Sequence, residues 1–317
     1  MRELNKAMRI LVVGAGATGG YFGARLTQAG RDVTFLVRER RVESLRARGL
    51  RITGLGDDEV VTPTLVTANE LTGPTDLVLL AVKATALPDA VDDMSQAVGP
   101  DTLVVPFLNG MAHLDKLNDR FGARNVLGGV VKVLTQLSDA GDIVRLAGFA
   151  SVQIGPQDGH VTARIQEAYD TLAGAGFDTT VSDEILAAMW HKWVFIATVG
   201  ALTCLMRGTV GDIVAVPEGE NLGPAILAEA AAVSAAAGYP VPQSELDNTT
   251  HMITEPRSSF ASSMYRDVSG RHHTEVEHLL ADLTNRARML KVPTPILDLA
   301  TLHLRVYEDR LANGTYS

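Results

Sequence analysis

A chain of 317 residues, 46% hydrophobic and 21% charged, has enough apolar content for two domains with real cores and is not that of a disordered protein. Its formal charge of -9 argues against a general nucleic-acid surface, and its single cysteine, Cys204, excludes an intrachain disulfide and a cysteine metal site. The charged N-terminus, Met1 to Ala7, runs straight into a strand pattern with no signal peptide, and the apolar run Trp193 to Met206 is shorter than the about 20 residues that span a bilayer, so no membrane association and a cytoplasmic protein are expected.

The first strand pattern, Ile10-Leu-Val-Val13, breaks into Gly14-Ala15-Gly16-Ala17-Thr18-Gly19, and a helical pattern follows from Tyr21 to Ala29. In a dinucleotide site Gly14 permits the turn, Gly16 lets backbone N–H groups approach a pyrophosphate, and Gly19 lets helix and strand pack closely. A purely structural glycine turn is the alternative. The second strand, Asp32 to Val37, delivers Arg38 to the position where an adenosine ribose lies. A carboxylate there suits NAD, whereas an arginine pairs with the 2′-phosphate of NADP, so NADPH is expected, with Arg40 and Arg41 adding charge. The plainer reading of Arg38 to Arg41 is a solvated helix start.

Two further apolar runs, Asp76 to Val82 and Thr102 to Phe107, read as buried parallel strands that deliver Lys83 and Asn109 to the same crevice. Asn109-Gly110 is also a common turn pair, and Lys83 can equally be a turn residue. From Asn125 to Pro156 short β-rich runs (Val130 to Leu137, Asp142 to Leu146, Ser151 to Ile154) suggest antiparallel strands that extend the parallel sheet. Lys132, inside the first run, can face cleft or solvent. A helix near His160 to Ala173 and a strand near Phe177 to Val181 complete a first domain, 1–181.

The remainder, 182–317, reads as a helical domain. Asp183 can cap a helix from Ile185 to Met206 that is apolar nearly all round, as expected of a buried helix. His191 and Lys192 interrupt it. A lysine between Trp190 and Trp193 either has a partner or chemical task or reaches the surface along its stem. Prolines and glycines then mark about five more helical segments. Adjacent His272 and His273 lack the spacing of a helical metal pair, so no metal is expected. The apolar helix Leu222 to Ala237 permits a homodimer.

In combination, the glycine turn, Val82-Lys83-Ala84, Leu108-Asn109-Gly110, Met189-Trp190-His191-Lys192, Ser262-Ser263-Met264 with Asp267, and Gly270-Arg271 with His273-Thr274-Glu275 resemble the ketopantoate reductases (2-dehydropantoate 2-reductases) over nearly the whole chain. The resemblance implies an α/β Rossmann-type domain followed by an all-helical domain like that of 6-phosphogluconate dehydrogenase relatives. It implies NADPH meeting a 2-oxo acid between the domains, nominally ketopantoate for pantothenate biosynthesis. It also implies that Lys192 is the catalytic lysine, Asn109 lies near nicotinamide and substrate, Ser263 binds substrate, and Glu275 lies near cofactor and lysine. Two departures stand out. Family asparagines four and eight residues beyond the lysine are replaced by Ile196 and Gly200, and a third falls near Val210. The family's Asn-Gly after the glutamate is replaced in the area of Leu280-Ala281. Loss of these amides suits a less polar 2-oxo acid. An NADPH sensor without turnover is a further alternative, against which the joint presence of Lys192 and Glu275 argues.

Overall fold

A computed structural model describes residues 8–315; the charged N-terminal stretch lies outside them. By density of contacts the chain divides into two compact units, one of residues 1–108 and 113–185, the other of 109–112 and 186–317.

The first unit is built on repeated strand and helix pairs. Its elements are β1 (Arg9–Val13), α1 (Ala17–Gln28), β2 (Asp32–Leu36), α2 (Glu39–Arg48), β3 (Leu50–Gly54), β4 (Asp57–Val61), β5 (Thr64–Val66), β6 (Leu77–Leu80), α3 (Leu87–Asp93), β7 (Leu103–Pro106), α4 (Ala112–Phe121), β8 (Gly128–Leu137), β9 (Ile143–Gly155), α5 (Ala163–Leu172) and β10 (Asp178–Val181). The parallel sheet has the order β5-β2-β1-β6-β7, with Ile10 beside Val33 on one flank and Leu77 on the other. All four residues of β6 and of β7 are buried, as is usual for strands of a parallel sheet, whose crossover helices cover its faces. Strand order reverses at β1, which places a crevice at the carboxyl ends of β1 and β6. Phe22 from α1 locks the layer over it, packing edge-on against Phe107 and Phe177.

The β-rich runs after residue 125 do not extend this sheet as expected. Val126 makes one parallel bridge to Val104, and the chain then enters a second sheet of order β10-β9-β3-β4, in which β8 pairs antiparallel with β9. The cause is β9. It runs unbroken through both of the short runs expected there, takes β8 along nearly its full length, and pairs in parallel with β10 and β3, so its edges are filled by strands from outside the first sheet. The β3–β4 hairpin turns at Leu55-Gly56, both with positive φ. Lys132 lies exposed on β8 opposite Ser151, on the solvent side of the two readings.

The second unit is helical: α6 (Ile185–Met206, whose first residue clusters with the other unit), α7 (Val210–Val214), α8 (Gly219–Ala236), α9 (Gln243–Ile253), α10 (Ser263–Ser269), a single π-helical turn (Glu277–Ala281), α11 (Asp282–Met289) and α12 (Pro295–Ala312). Ser182 Oγ accepts the Glu184 N–H at the entry to α6. With 22 residues and a mean hydropathy of 1.5, α6 is long and apolar enough to cross a membrane, but 61% of that window is buried inside the protein, so it is a core helix. Trp193, Leu202 and Cys204 from α6 join Ile226, Val233, Leu280, Leu283, Leu297 and Leu304 in the interior. Burial pushes the Cys204 thiol up to about 12, as befits a small core residue. Of the large apolar residues of α8, Ile226, Leu227 and Val233 are buried and Leu222 is half-buried, while alanines 228, 232, 235 and 236 face solvent.

Candidate active site

In the first unit the site begins where β1 ends. Gly14 has φ +96°, and a Cβ there would lie 2.9 Å from the Ala81 carbonyl oxygen; one at Gly19 would collide with the Gly14 carbonyl. Both contacts make the turn tight enough to aim the start of α1 at the crevice. Gly16 differs: a Cβ on it would meet nothing within 4 Å, so the backbone at the head of α1 faces open space that a side chain would fill. Gly16 is also the N-cap, with no side-chain cap and no acidic residue in the first turn. The first N–H groups of a helix lack intrahelical acceptors, and a diphosphate fits donors left in this way. Ala15, Ala17 and Thr18 line the same turn.

Arg38 is the N-cap of α2, directly after β2 and Val37, and its exposed guanidinium pairs with Asp89 of α3 at 3.5 Å. Arg41 instead lies against Gly141 in the turn between β8 and β9, and Arg40 is exposed. Lys83 heads the short 3-10 turn Ala84–Ala86 and is exposed; Ala81 and Val82, just before it, are the residues against which Gly14 packs.

The second unit contains the polar pair. Lys192 Nζ donates to Asn109 Oδ1 at 2.8 Å, joining residues 83 apart in sequence. Asn109 follows β7, yet residues 109–112 cluster with the helices. The reason is Gly110, with φ +79°: its Cα approaches the π-helical turn so closely that a Cβ would lie 2.8 Å from the His278 carbonyl. The neighbour of the lysine, Trp193, donates its Nε1–H to the Leu279 carbonyl of that same turn at 3.0 Å. Lysine and asparagine are therefore each fixed by an adjacent residue to one piece of backbone. Arg286, paired with Asp282, lies over both Trp190 and Trp193, and stacking of Trp190 on Tyr239 completes the aromatic layer.

Glu275 is half-buried at the entry to the π-helical turn, its carbonyl accepting the N–H groups of His278 and Leu279. Ser263 is exposed at the first position of α10. Its neighbour Ser262 caps that helix through the Tyr265 N–H and lies 2.9 Å from Thr203 Oγ1, which ties the start of α10 to α6. On the face of α6 that carries Lys192, Ile196 is half-buried and Gly200 buried. A Cβ on Gly200 would lie 2.7 Å from Met264 Cε, so a methionine methyl occupies space that a larger side chain would need. His272 and His273 are exposed, and among the described residues no group of three or more His, Cys, Asp or Glu could hold a metal ion.

Sequence patterns gave no hint of the π-helical turn or the packing of Gly110 on it. The one available signal was Asn109-Gly110 itself, where a glycine that admits positive φ follows a polar residue.

A doubly wound sheet with an open glycine turn, together with a helical unit holding a fixed lysine, defines a dinucleotide-dependent oxidoreductase. The profile of the ketopantoate reductase family (PanE/ApbA) matches residues 10–159, and that of the family's C-terminal domain matches residues 184–308. The chain belongs to the ketopantoate reductase family, and is an oxidoreductase using NAD(P) on a CH–OH group. It is 32% identical over 301 residues to the uncharacterized oxidoreductase YkpB of Bacillus subtilis (strain 168), covering 95% of this chain and 99% of that one. A PanE/ApbA family ketopantoate reductase from Ralstonia eutropha JMP134 superposes with a TM-score of 0.86 at 26% identity, covering 96% of this chain and 100% of that one. A D-mandelate dehydrogenase solved with NADH and anilino(oxo)acetate has the same fold, with a TM-score of 0.86 at 23% identity and the same coverage.

Proposed function

We propose that the protein reduces a 2-oxo acid to the 2-hydroxy acid with NADPH, and the observation that carries the proposal is the Lys192–Asn109 pair. In this reading the glycine turn from Gly14 to Gly19 holds the pyrophosphate, Arg38 serves the adenosine ribose, Lys83 reaches the cofactor crevice beside the glycine turn, and residues 1–181 are the cofactor domain. Residues 182–317 form the catalytic domain. When bound, the nicotinamide supplies the hydride to the carbonyl carbon.

The chain's own groups then deal with the oxygen. Negative charge grows on the substrate carbonyl oxygen, and an ammonium placed beside it both stabilises that charge and supplies the proton from Nζ. One N–H of Lys192 is committed to Asn109 Oδ1, which fixes the direction of the other two. Asn109 thus orients the acid and serves nicotinamide and substrate with its amide, Ser263 binds the substrate carboxylate, and Glu275 stands near cofactor and lysine. A cytoplasmic enzyme follows from this reading.

Ketopantoate is the nominal substrate, which would place the enzyme in pantothenate biosynthesis. A second reading, favoured by half-buried Ile196 and by the Met264 methyl against Gly200, is a less polar 2-oxo acid. Apolar groups cannot hydrogen-bond a substrate hydroxyl, and an unpaired hydroxyl there weakens binding. The deciding experiment is NADPH oxidation by purified protein with ketopantoate and a panel of branched and aryl 2-oxo acids, beside Lys192→Ala. Turnover of at least one acid, reduced at least tenfold in kcat by the substitution, is expected, since general acid catalysis contributes about 10²- to 10⁴-fold. No turnover of any acid, or full activity in Lys192→Ala, removes the proposal.

A further inference from the structure

The segment that leads to Glu275 is held from outside by the last turns of α12. Glu308 Oε1 accepts both the backbone N–H of Thr274, at 2.6 Å, and the Thr274 hydroxyl, at 2.7 Å. Its other oxygen, Oε2, lies 2.7 Å from His273 Nδ1. One turn face is shared by the preceding residue, since the Tyr307 hydroxyl donates to the His272 carbonyl at 2.8 Å. Three consecutive residues, 272 to 274, are therefore fixed to two consecutive residues of a helix more than thirty positions away.

What this holds is a segment outside regular secondary structure, tied back to α10 by the His272 N–H, which donates to the Asp267 carbonyl at 2.8 Å. Arg271 has φ +55°, and residues 272–275 have no regular secondary structure. Thr274 is buried while its neighbours 271 to 273 are exposed. Downstream, the Glu275 carbonyl starts the π-helical turn that Trp193 and Gly110 grip, so Glu275 lies between two anchored pieces of backbone. A carboxylate accepting two hydrogen bonds from one residue restricts that residue's rotation as well as its position, and the next Cα is only about 3.8 Å away.

We propose that Glu308 is a positioning residue for catalysis: by clamping Thr274 it sets the place of the Glu275 carboxylate, and its removal slows turnover through Glu275. This rests on the reading of Glu275 as part of the active site. Glu308 touches neither substrate nor cofactor in this account, and nothing in the family resemblance assigns it a role.

A double-mutant cycle on the full-length enzyme tests it, using the best 2-oxo acid from the panel at saturation with NADPH varied. Glu308→Ala is expected to lower kcat about tenfold or more with less than a threefold change in KM for NADPH. In a Glu275→Gln background the same change should cost less than twofold, because residues acting through one another are not additive. Thr274→Val, which removes the hydroxyl donor but keeps the shape, should give a smaller loss of the same kind and serves if Glu308→Ala does not fold. Full kcat in a folded Glu308→Ala or Thr274→Val enzyme, or losses that simply multiply with that of Glu275→Gln, overturns the proposal. The two levels separate cleanly. If Glu275→Gln itself leaves kcat unchanged, the active-site reading of Glu275 fails and the clamp falls with it; if only the Glu308 and Thr274 variants are silent, the clamp alone is wrong.

Discussion

Arg38 shows how much one side chain decides. It emerges at the end of β2 because a parallel strand delivers its next residue to the ligand side of the sheet, and that placement was legible from the sequence. The partner was not. Asp89, on α3, shares an ion pair with it at 3.5 Å, with both side chains well exposed, at 48% and 75%. Exposed pairs of this kind contribute at most about 1 kcal/mol, so under the proposed function a 2′-phosphate, with more charge and more acceptors, would displace Asp89 readily. Arg38→Ala should therefore lower kcat/KM for NADPH by about 10- to 100-fold, the worth of a charge-assisted hydrogen bond, while leaving kcat/KM for NADH nearly unchanged. Steady-state kinetics with both dinucleotides read this directly, and equal losses with each would show that Arg38 does not select the phosphate.

Among the elements, α6 was the most legible, its bounds Ile185–Met206 matching the apolar run, because a helix that is apolar all round must be removed from water along its length. The β3–β4 hairpin was the least. Its second strand, Asp57–Val61, opens with Asp57-Asp58-Glu59, and two of these acids are kept there by partners far off in sequence: Arg25 and Arg145 at Asp57, Arg25 and Gln28 at Glu59. A similar remote contact explains α12. Its N-cap, Thr294, makes no side-chain cap, but Glu229 of α8 accepts the Ile296 and Leu297 N–H groups at 3.0 and 2.9 Å. A capping side chain is worth about 0.5 to 2 kcal/mol, so Glu229→Ala should destabilise the protein by about that much, and Glu229→Gln by less because an acceptor remains. Urea unfolding followed by helical circular dichroism measures it; a change under a few tenths of a kcal/mol would mean water caps the helix equally well.

For the molecule as a whole, the same remote pairing sets the response to acid. Glu59 is held below the ordinary carboxylate range by the Gln28 amide and then by Arg25. Burial works against ionisation of Asp76 and Glu308, yet Arg9 holds the first down and His273 with Thr274 the second. Their folded-state pKa values lie below the unfolded ones, so the stability they supply is complete at neutral pH and drains as pH falls below about 5 towards the folded values. A melting temperature that is flat from pH 7 to about 5.5 and then declines steeply is expected from thermal scans, with a shallower decline in Asp76→Asn. Local patterning by itself determined the glycine turn, the buried strands and the apolar helix, since chain neighbours and periodicity record which faces are buried. Only the tertiary structure decided that Asn109 belongs with the helices, that Lys192 donates to it, that the later strands form a second sheet, and that Glu308 holds Thr274. Each of these contacts joins residues distant in the chain, and their geometry depends on how close two backbones can come, as at Gly110, which no single stretch of sequence encodes.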